Sequence, residues 1–272
     1  MNQDTLKQFP TALTIAGSDA GGGAGMQADI KTMQACQVFS TVVLTCVTAQ
    51  NTYGVQDAIP VPTEMIDAQF DSLFSDFDIL AAKTGALFDE DRVRTVAKNV
   101  KKHNITNLII DPVMVAKGGS KLLSDSAINA FVTELLPLAL LVTPNIPEAE
   151  ALSEQTICSQ EEIVNAAKKI QSLGAKNVLL KGGHLETKEV QDLLLLESGE
   201  THWFTFSRVT TNRTHGTGDT LSAGITAAIA KGYSLVDAIA YGEHYLHTIL
   251  ETEIIVGHGH GPLNHWGHQL ER

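Results

Sequence analysis

The run THGTGDT (214–220) sets two glycines and a carboxylate where a long stretch of helix formers begins. Backbone N–H groups around Gly216, Thr217 and Gly218 can form a nest at a helix start, and the helix dipole adds to their pull on an anion. Asp219 then has two readings. An acidic residue in a first turn suits any helix. It also suits phosphoryl transfer, in which a base must accept the proton of the attacking hydroxyl. A carboxylate on the same helix start as the anion-binding amides lies close to both reactants.

Other residues offer related chemistry. AGSDAGGGAGMQAD (16–29) is a glycine-rich turn entering a helix. Its register fits a G-x-G-x-x-G dinucleotide fingerprint poorly, and no acidic residue closes the next strand at the expected spacing. A phosphate loop, a tight turn close to a ligand and a plain flexible turn all stay open. Asp29 lies inside the expected helix, either solvated or reaching back to a crevice. Lys181 is either a phosphate contact or a solvated strand-end lysine. Asn145 and Glu148 could hold Mg²⁺ directly or through water, but TPNIPEAE also reads as a helix cap at Asn145. Asp111 could join them, orient a nucleophile, or simply turn the chain before Pro112. His258, His260, His265 and His268 make a metal site conceivable. No carboxylate or cysteine spacing supports one, so loop histidines are the favoured reading.

Something must bring these residues together. Apolar runs at 11–17, 42–49, 78–85, 107–113, 138–145, 177–183, 191–198 and 202–208 read as strands. Several are almost continuously apolar, as strands covered on both faces are. Helical patterns fill 24–36, 63–75, 89–102, 124–136, 146–153, 160–173, 218–231 and 233–250. The alternation predicts an α/β fold with a mostly parallel central sheet. Open parallel sheets bind ligands beyond the carboxyl ends of their strands. Those ends carry Gly17-Ser18-Asp19, Gln50-Asn51, Lys83-Thr84-Gly85, Asp111-Pro112-Val113, Thr143-Pro144-Asn145 and Lys181-Gly182-Gly183-His184.

The bulk numbers bound the rest. The chain has 272 residues, 43% of them hydrophobic, which fits one domain spanning 1–272. The formal charge of -12 and the lack of a basic block argue against nucleic acid as a partner. Three scattered cysteines, Cys36, Cys46 and Cys158, suggest a reducing compartment. Without a signal-like start or a long apolar span, a cytoplasmic protein is expected.

Taken in order, LTIAGSDAGGGAGMQADIKT, TAQNTYGV, DPVMVAKGG, LVTPNIPEAE, LLKGGH, THGTGDTLSAG and VGHGHGP resemble the hydroxymethylpyrimidine and phosphomethylpyrimidine kinases of thiamine biosynthesis. These belong to the ribokinase-like superfamily, beside the pyridoxal kinases. The resemblance implies a three-layer α/β/α sandwich, commonly dimeric, that uses ATP and Mg²⁺ to phosphorylate the hydroxymethyl group of an aminopyrimidine. It often implies a second transfer, to the monophosphate. It places the pyrimidine near Gly17, Asp29, Gln50 and Val113; an amide such as Gln50 both donates and accepts, as that ring edge requires. It places the ATP phosphates near Lys181 and the Gly216–Gly218 loop, including Thr217. It puts Asp111, Asn145 and Glu148 near magnesium. The segment after Gln50 is a candidate lid or substrate wall. Two departures stand out. Most members of this subfamily have cysteine where this chain has Asp219, and typically methionine where it has Ala86. The smaller Ala86 could admit a larger ring, which keeps a pyridoxal kinase in view. A non-catalytic pyrimidine-binding protein is the further alternative.

Overall fold

A computed structural model of the protein describes residues 8–114, 123–183 and 188–267. His184, His268 and residues 115–119 of DPVMVAKGG lie outside the described residues.

The chain runs β1 (Thr11–Ala16), α1 (Gly25–Ala35), β2 (Phe39–Leu44), β3 (Cys46–Asn51), β4 (Gly54–Pro60), α2 (Thr63–Phe74), β5 (Ile79–Thr84) and α3 (Glu90–Lys102). It continues with β6 (Leu108–Ile110), α4 (Asp125–Ala130), β7 (Leu141–Val142), α5 (Ile146–Ser153), α6 (Gln160–Ser172) and β8 (Asn177–Leu180). The last elements are β9 (Glu189–Leu195), β10 (Thr201–Ser207), α7 (Thr217–Ala230) and α8 (Leu235–Leu250). Eight strands form one sheet in the order β10-β9-β8-β7-β6-β5-β1-β2. Pairing is parallel from β2 through β8 and antiparallel at β8–β9 and β9–β10.

Alternate strand residues enter opposite cores. Leu13 and Ile15 of β1, Leu108 and Ile110 of β6, and Leu193 and Leu195 of β9 meet helices α2 to α6. Ala12, Ile109 and Leu194 face the other way, toward α1, α7 and α8. This is the expected three-layer α/β/α sandwich, and it explains the near-continuous apolar runs: both faces of the strands are covered.

Two expectations need correction. The run 42–49 is not one strand. β2 stops at Leu44, and β3 leaves the main sheet to pair antiparallel with β4 as a separate hairpin. VVLTCVTA contains no glycine or proline to mark the break, which falls beside the end of β1: the Thr45 amide donates to the carbonyl of Ala16, and the Ser18 amide to the carbonyl of Cys46. The run 138–145 is strand only at Leu141–Val142, because helical turns carry on from α4 through Leu138.

The chain leaves β1 for β2 on one side and returns through β5 on the other. This change of direction opens a crevice at the carboxyl ends of β1 and β5.

Candidate active site

Helix α7 begins beside that crevice. Gly216 is its N-cap, with φ +86°, and no side chain caps the helix. The Thr217 amide turns back toward the carbonyl of Thr214 at 3.5 Å, and an uncapped helix start of this kind suits an anion. A Cβ on Gly216 would collide with the carbonyl oxygen of Gly23, so only glycine allows the two glycine-rich segments to touch. Thr217 turns its hydroxyl back to the carbonyl of Thr214, at 3.2 Å.

Asp219 occupies the first turn with a side chain 17% exposed. It is not turned into the core. Its Oδ1 lies 3.9 Å from Nζ of Lys83, a fully buried lysine near the end of β5. The same ammonium donates to Oδ1 of Asp29 at 2.6 Å, and Thr14 donates to Oδ2 of Asp29 at 2.5 Å. Asp29 is thus buried with both oxygens engaged. Burial pushes its pKa up to about 7, against the pull of Lys83. Burial would lower Lys83, but the surrounding carboxylates Asp29, Asp219 and Asp111 hold it above the usual lysine range.

On the other side, a Cβ on Gly218 would stand 3.1 Å from Oδ2 of Asp111 and 3.5 Å from Nζ of Lys181. Lys181, 13% exposed, donates to Oδ1 of Asp111 at 3.1 Å. It is not a solvated strand-end lysine. Glu148 lies within the influence of both, and burial raises its pKa to about 7. Asn145 is the N-cap of α5 in a full capping box: its side chain accepts from the Glu148 amide at 3.0 Å, and Glu148 accepts from the Asn145 amide at 2.9 Å. Val113 is half-buried and closes a turn through its amide to Asp111.

The glycine-rich turn is a built structure. Asp19 accepts from the amides of Gly21, Gly23 and Ala24 at 2.8, 2.9 and 2.9 Å. Burial would raise Asp19, but bonds from His215 and from the Gly21 and Gly23 amides hold it below its ordinary value. Nε2 of His215 lies 3.0 Å from Oδ2 of Asp19 and 3.3 Å from the Gln50 amide. The Gln50 oxygen points the other way and accepts from the Thr48 hydroxyl at 3.3 Å. The Gly17 amide and the Thr45 hydroxyl both donate to the carbonyl of Ala86, at 3.1 and 2.7 Å. Ala86 is thereby fixed at the mouth of the crevice beside Gly17.

The C-terminal loop joins these parts. The amides of Gly259 and His260 donate to the hydroxyl and carbonyl of Thr52, at the tip of the β3–β4 hairpin, and Pro262 pairs with His215. His265 lies elsewhere, its Nδ1 3.3 Å from the Tyr245 hydroxyl, and burial lowers its pKa to about 4. Among the described residues no group of three His, Cys, Asp or Glu side chains is arranged to hold a metal ion, and no helix is long and apolar enough to cross a membrane. Cys36, Cys46 and Cys158 are all free.

The sequence pattern brings Asp219, Lys181, Asp111, Glu148, Gly17 and Gln50 to one rim. It names Lys83 and Asp19 only as strand-end residues without a role, and it passes over His215. Lys83 left a signal, since a lysine closing the apolar run DILAAK must be buried and therefore paired. His215 left only its place next to the glycines.

Residues 19–264 match the phosphomethylpyrimidine kinase family. The chain is 45% identical over 266 residues to the hydroxymethylpyrimidine/phosphomethylpyrimidine kinase of Haemophilus influenzae, covering 97% of this chain and 99% of that one. An ADP complex of Bacillus subtilis pyridoxal kinase is 34% identical, with a TM-score of 0.90 over 97% of this chain and 100% of that one. The phosphomethylpyrimidine kinase of Clostridium difficile 630 is 36% identical, with a TM-score of 0.78 over 88% of this chain and 98% of that one. The carboxylate and amides at the start of α7, the buried lysine behind them and the match over nine-tenths of the length make this chain a member of the phosphomethylpyrimidine kinase family.

Proposed function

We propose that the chain transfers the γ-phosphoryl group of ATP to the hydroxymethyl oxygen of 4-amino-5-hydroxymethyl-2-methylpyrimidine, and then phosphorylates the resulting monophosphate to the diphosphate. The observation that carries this reading is the position of Asp219. It stands in the first turn of an uncapped helix, with Lys83 on one side and the Asp111–Lys181 pair across Gly218 on the other.

Asp219 accepts the proton of the attacking hydroxyl. The amides of residues 216–219 hold the equatorial oxygens of the group in flight, and Lys181 neutralises the leaving diphosphate. Gln50 reads the ring edge from the hairpin side, with Gly17, Val113 and Ala86 forming the wall. Asp29 acts through Lys83, since both its oxygens are already bonded. The β3–β4 hairpin covers the ring and keeps water from the phosphoryl group.

The donor chemistry near Asp111 suits Mg²⁺, which usually takes one or two protein carboxylates and completes its shell with phosphates and water. Asp111 and Glu148 would hold it, with Asn145 reached through water; when bound, it supplies positive charge to the β and γ oxygens. The hairpin carries exposed Val47, Val55 and Ile59, an apolar face that suits the interface of a homodimer.

The second reading is a pyridoxal kinase. It is favoured by Ala86, which leaves space at the ring wall, and by the close fit to the Bacillus subtilis enzyme. Coupled phosphoryl-transfer assays with the hydroxymethylpyrimidine, its monophosphate and pyridoxal in parallel decide the matter. A kcat/KM for pyridoxal above that for both pyrimidines would replace the first reading by the second. Pyrimidine binding without ATP consumption would remove both.

A further inference from the structure

Behind the proposed phosphate site lies a second pair of acids. Asp192 of β9 is 4% exposed and Glu243 of α8 is 5% exposed. Their side chains hydrogen-bond to one another. Two carboxyl groups in contact, out of water, share a proton, because both cannot ionise there. The other partner of the pair is the backbone: the Gly182 amide donates to Oδ1 of Asp192 at 2.7 Å. Gly182 directly follows Lys181 and lies flat on β9, where a Cβ would collide with the carbonyl oxygen of Gln191.

Glu243 is held at a fixed depth. Its neighbour Gly242 meets α7 at backbone contact, where a Cβ would stand 3.1 Å from the amide nitrogen of Ile225. Helix α8 therefore cannot retreat without opening the α7–α8 crossing. Burial and the adjacent Asp192 push Glu243 well above the ordinary glutamate value, as a proton shared by the pair requires. Burial also raises Asp192, although the Glu243 bond, the Gly182 amide and Lys181 oppose it. Lys181, from the end of β8, is the charged group that acts on both carboxyls.

We propose that Glu243 is a positioning residue for phosphoryl transfer: as the neutral acid it donates to Asp192, which fixes the Gly182 amide and so holds Lys181 toward the polyphosphate. The inference rests on the phosphate role given to Lys181 above. When Glu243 loses its proton, two buried carboxylates face each other and the 181–183 turn loosens. ATP use then declines on the alkaline side while pyrimidine binding is little affected.

The test is the pH profile of kcat/KM for ATP in the wild type, Glu243→Gln and Glu243→Leu, with KM measured for both substrates. Glu243→Gln keeps a donor that cannot ionise. It should match the wild type at neutral pH and lack its alkaline decline. Glu243→Leu should raise the KM for ATP about tenfold, the scale of one lost hydrogen bond to a charged group, and change the KM for the pyrimidine by less than about twofold. Superimposable alkaline limbs in the wild type and Glu243→Gln overturn the proposal even if the leucine variant fails to fold. Lys181→Met separates the two levels. If it leaves the KM for ATP unchanged, the Lys181 reading falls and Glu243 has nothing to position. If it raises that KM while both Glu243 variants behave as wild type, only the present inference falls.

Discussion

The ammonium of Lys83 lies 3.9 Å from Oδ1 of Asp219, buried behind the start of α7. It also holds Asp29 at 2.6 Å, so one cation serves two carboxylates. Lys83→Met strands Asp29 without its partner. Breaking a buried pair by removing one member costs about 3–5 kcal/mol, and turnover should fall about 100-fold or more as Asp219 loses its neighbour. Adding Asp29→Asn removes the stranded charge. The double variant should recover most of the thermal stability but not the turnover, as read by calorimetry and by the coupled assay. Recovery of both would make Lys83 purely structural.

Asp219→Asn keeps shape and removes the base. The coupled assay should show kcat lower by about 10²–10⁴-fold, with KM for either substrate changed by less than about tenfold. Near-normal turnover in the folded variant would remove Asp219 from the mechanism. Asp219→Cys should retain part of the activity and move its optimum to higher pH, because a thiol titrates near 8.5 and a carboxylate near 4.

Gly216→Ala meets the carbonyl of Gly23 at a left-handed backbone position. Strain of about 1–3 kcal/mol should push the two glycine-rich segments apart. Titration calorimetry should find ATP bound about tenfold more weakly, with a lower melting temperature. Unchanged affinity would mean that the amides of α7 do not hold phosphate.

Ala86→Met fills the ring wall beside Gly17. The ratio of kcat/KM for pyridoxal to that for the hydroxymethylpyrimidine should fall about tenfold, the usual reach of a shape change in an apolar wall. An unchanged ratio places the ring elsewhere.

Glu148 titrates near 7 in the folded chain because it is buried, against an ordinary value near 4.3. For a carboxyl raised in this way, the stabilisation is complete below the unfolded pKa and is lost as pH rises through the folded one. Glu148→Gln should therefore gain stability relative to the wild type as pH rises from about 4.5 to about 8, by at most about 4 kcal/mol, read as a growing difference in melting temperature. A difference that does not change with pH would refute the shift.

The elements were legible where local signals agreed. AAKKIQSLGAKNVLLKGG shows helix, stop and strand by periodicity and Gly174, and the structure has α6 and β8 there. The β3–β4 hairpin was not legible, since its break from β2 is made by backbone bonds beside the end of β1 and not by a turn residue. Of the rim, Asp219 and Lys181 stood out because they sit next to glycines at the ends of elements. The Asp19–His215 bond joins residues 196 positions apart, and the Asp192–Glu243 pair joins two different layers. Neither has a local pattern, so only folding reveals them.

The bonds from Gly259 and His260 to Thr52, with Pro262 beside His215, tie the hairpin tip and the turn before α7 to one short stretch of chain. Purification handles and fusion partners attached downstream of that stretch therefore tug on both halves of the crevice at once. Such fusions are the ones to check against untagged protein before any kinetic constant is believed.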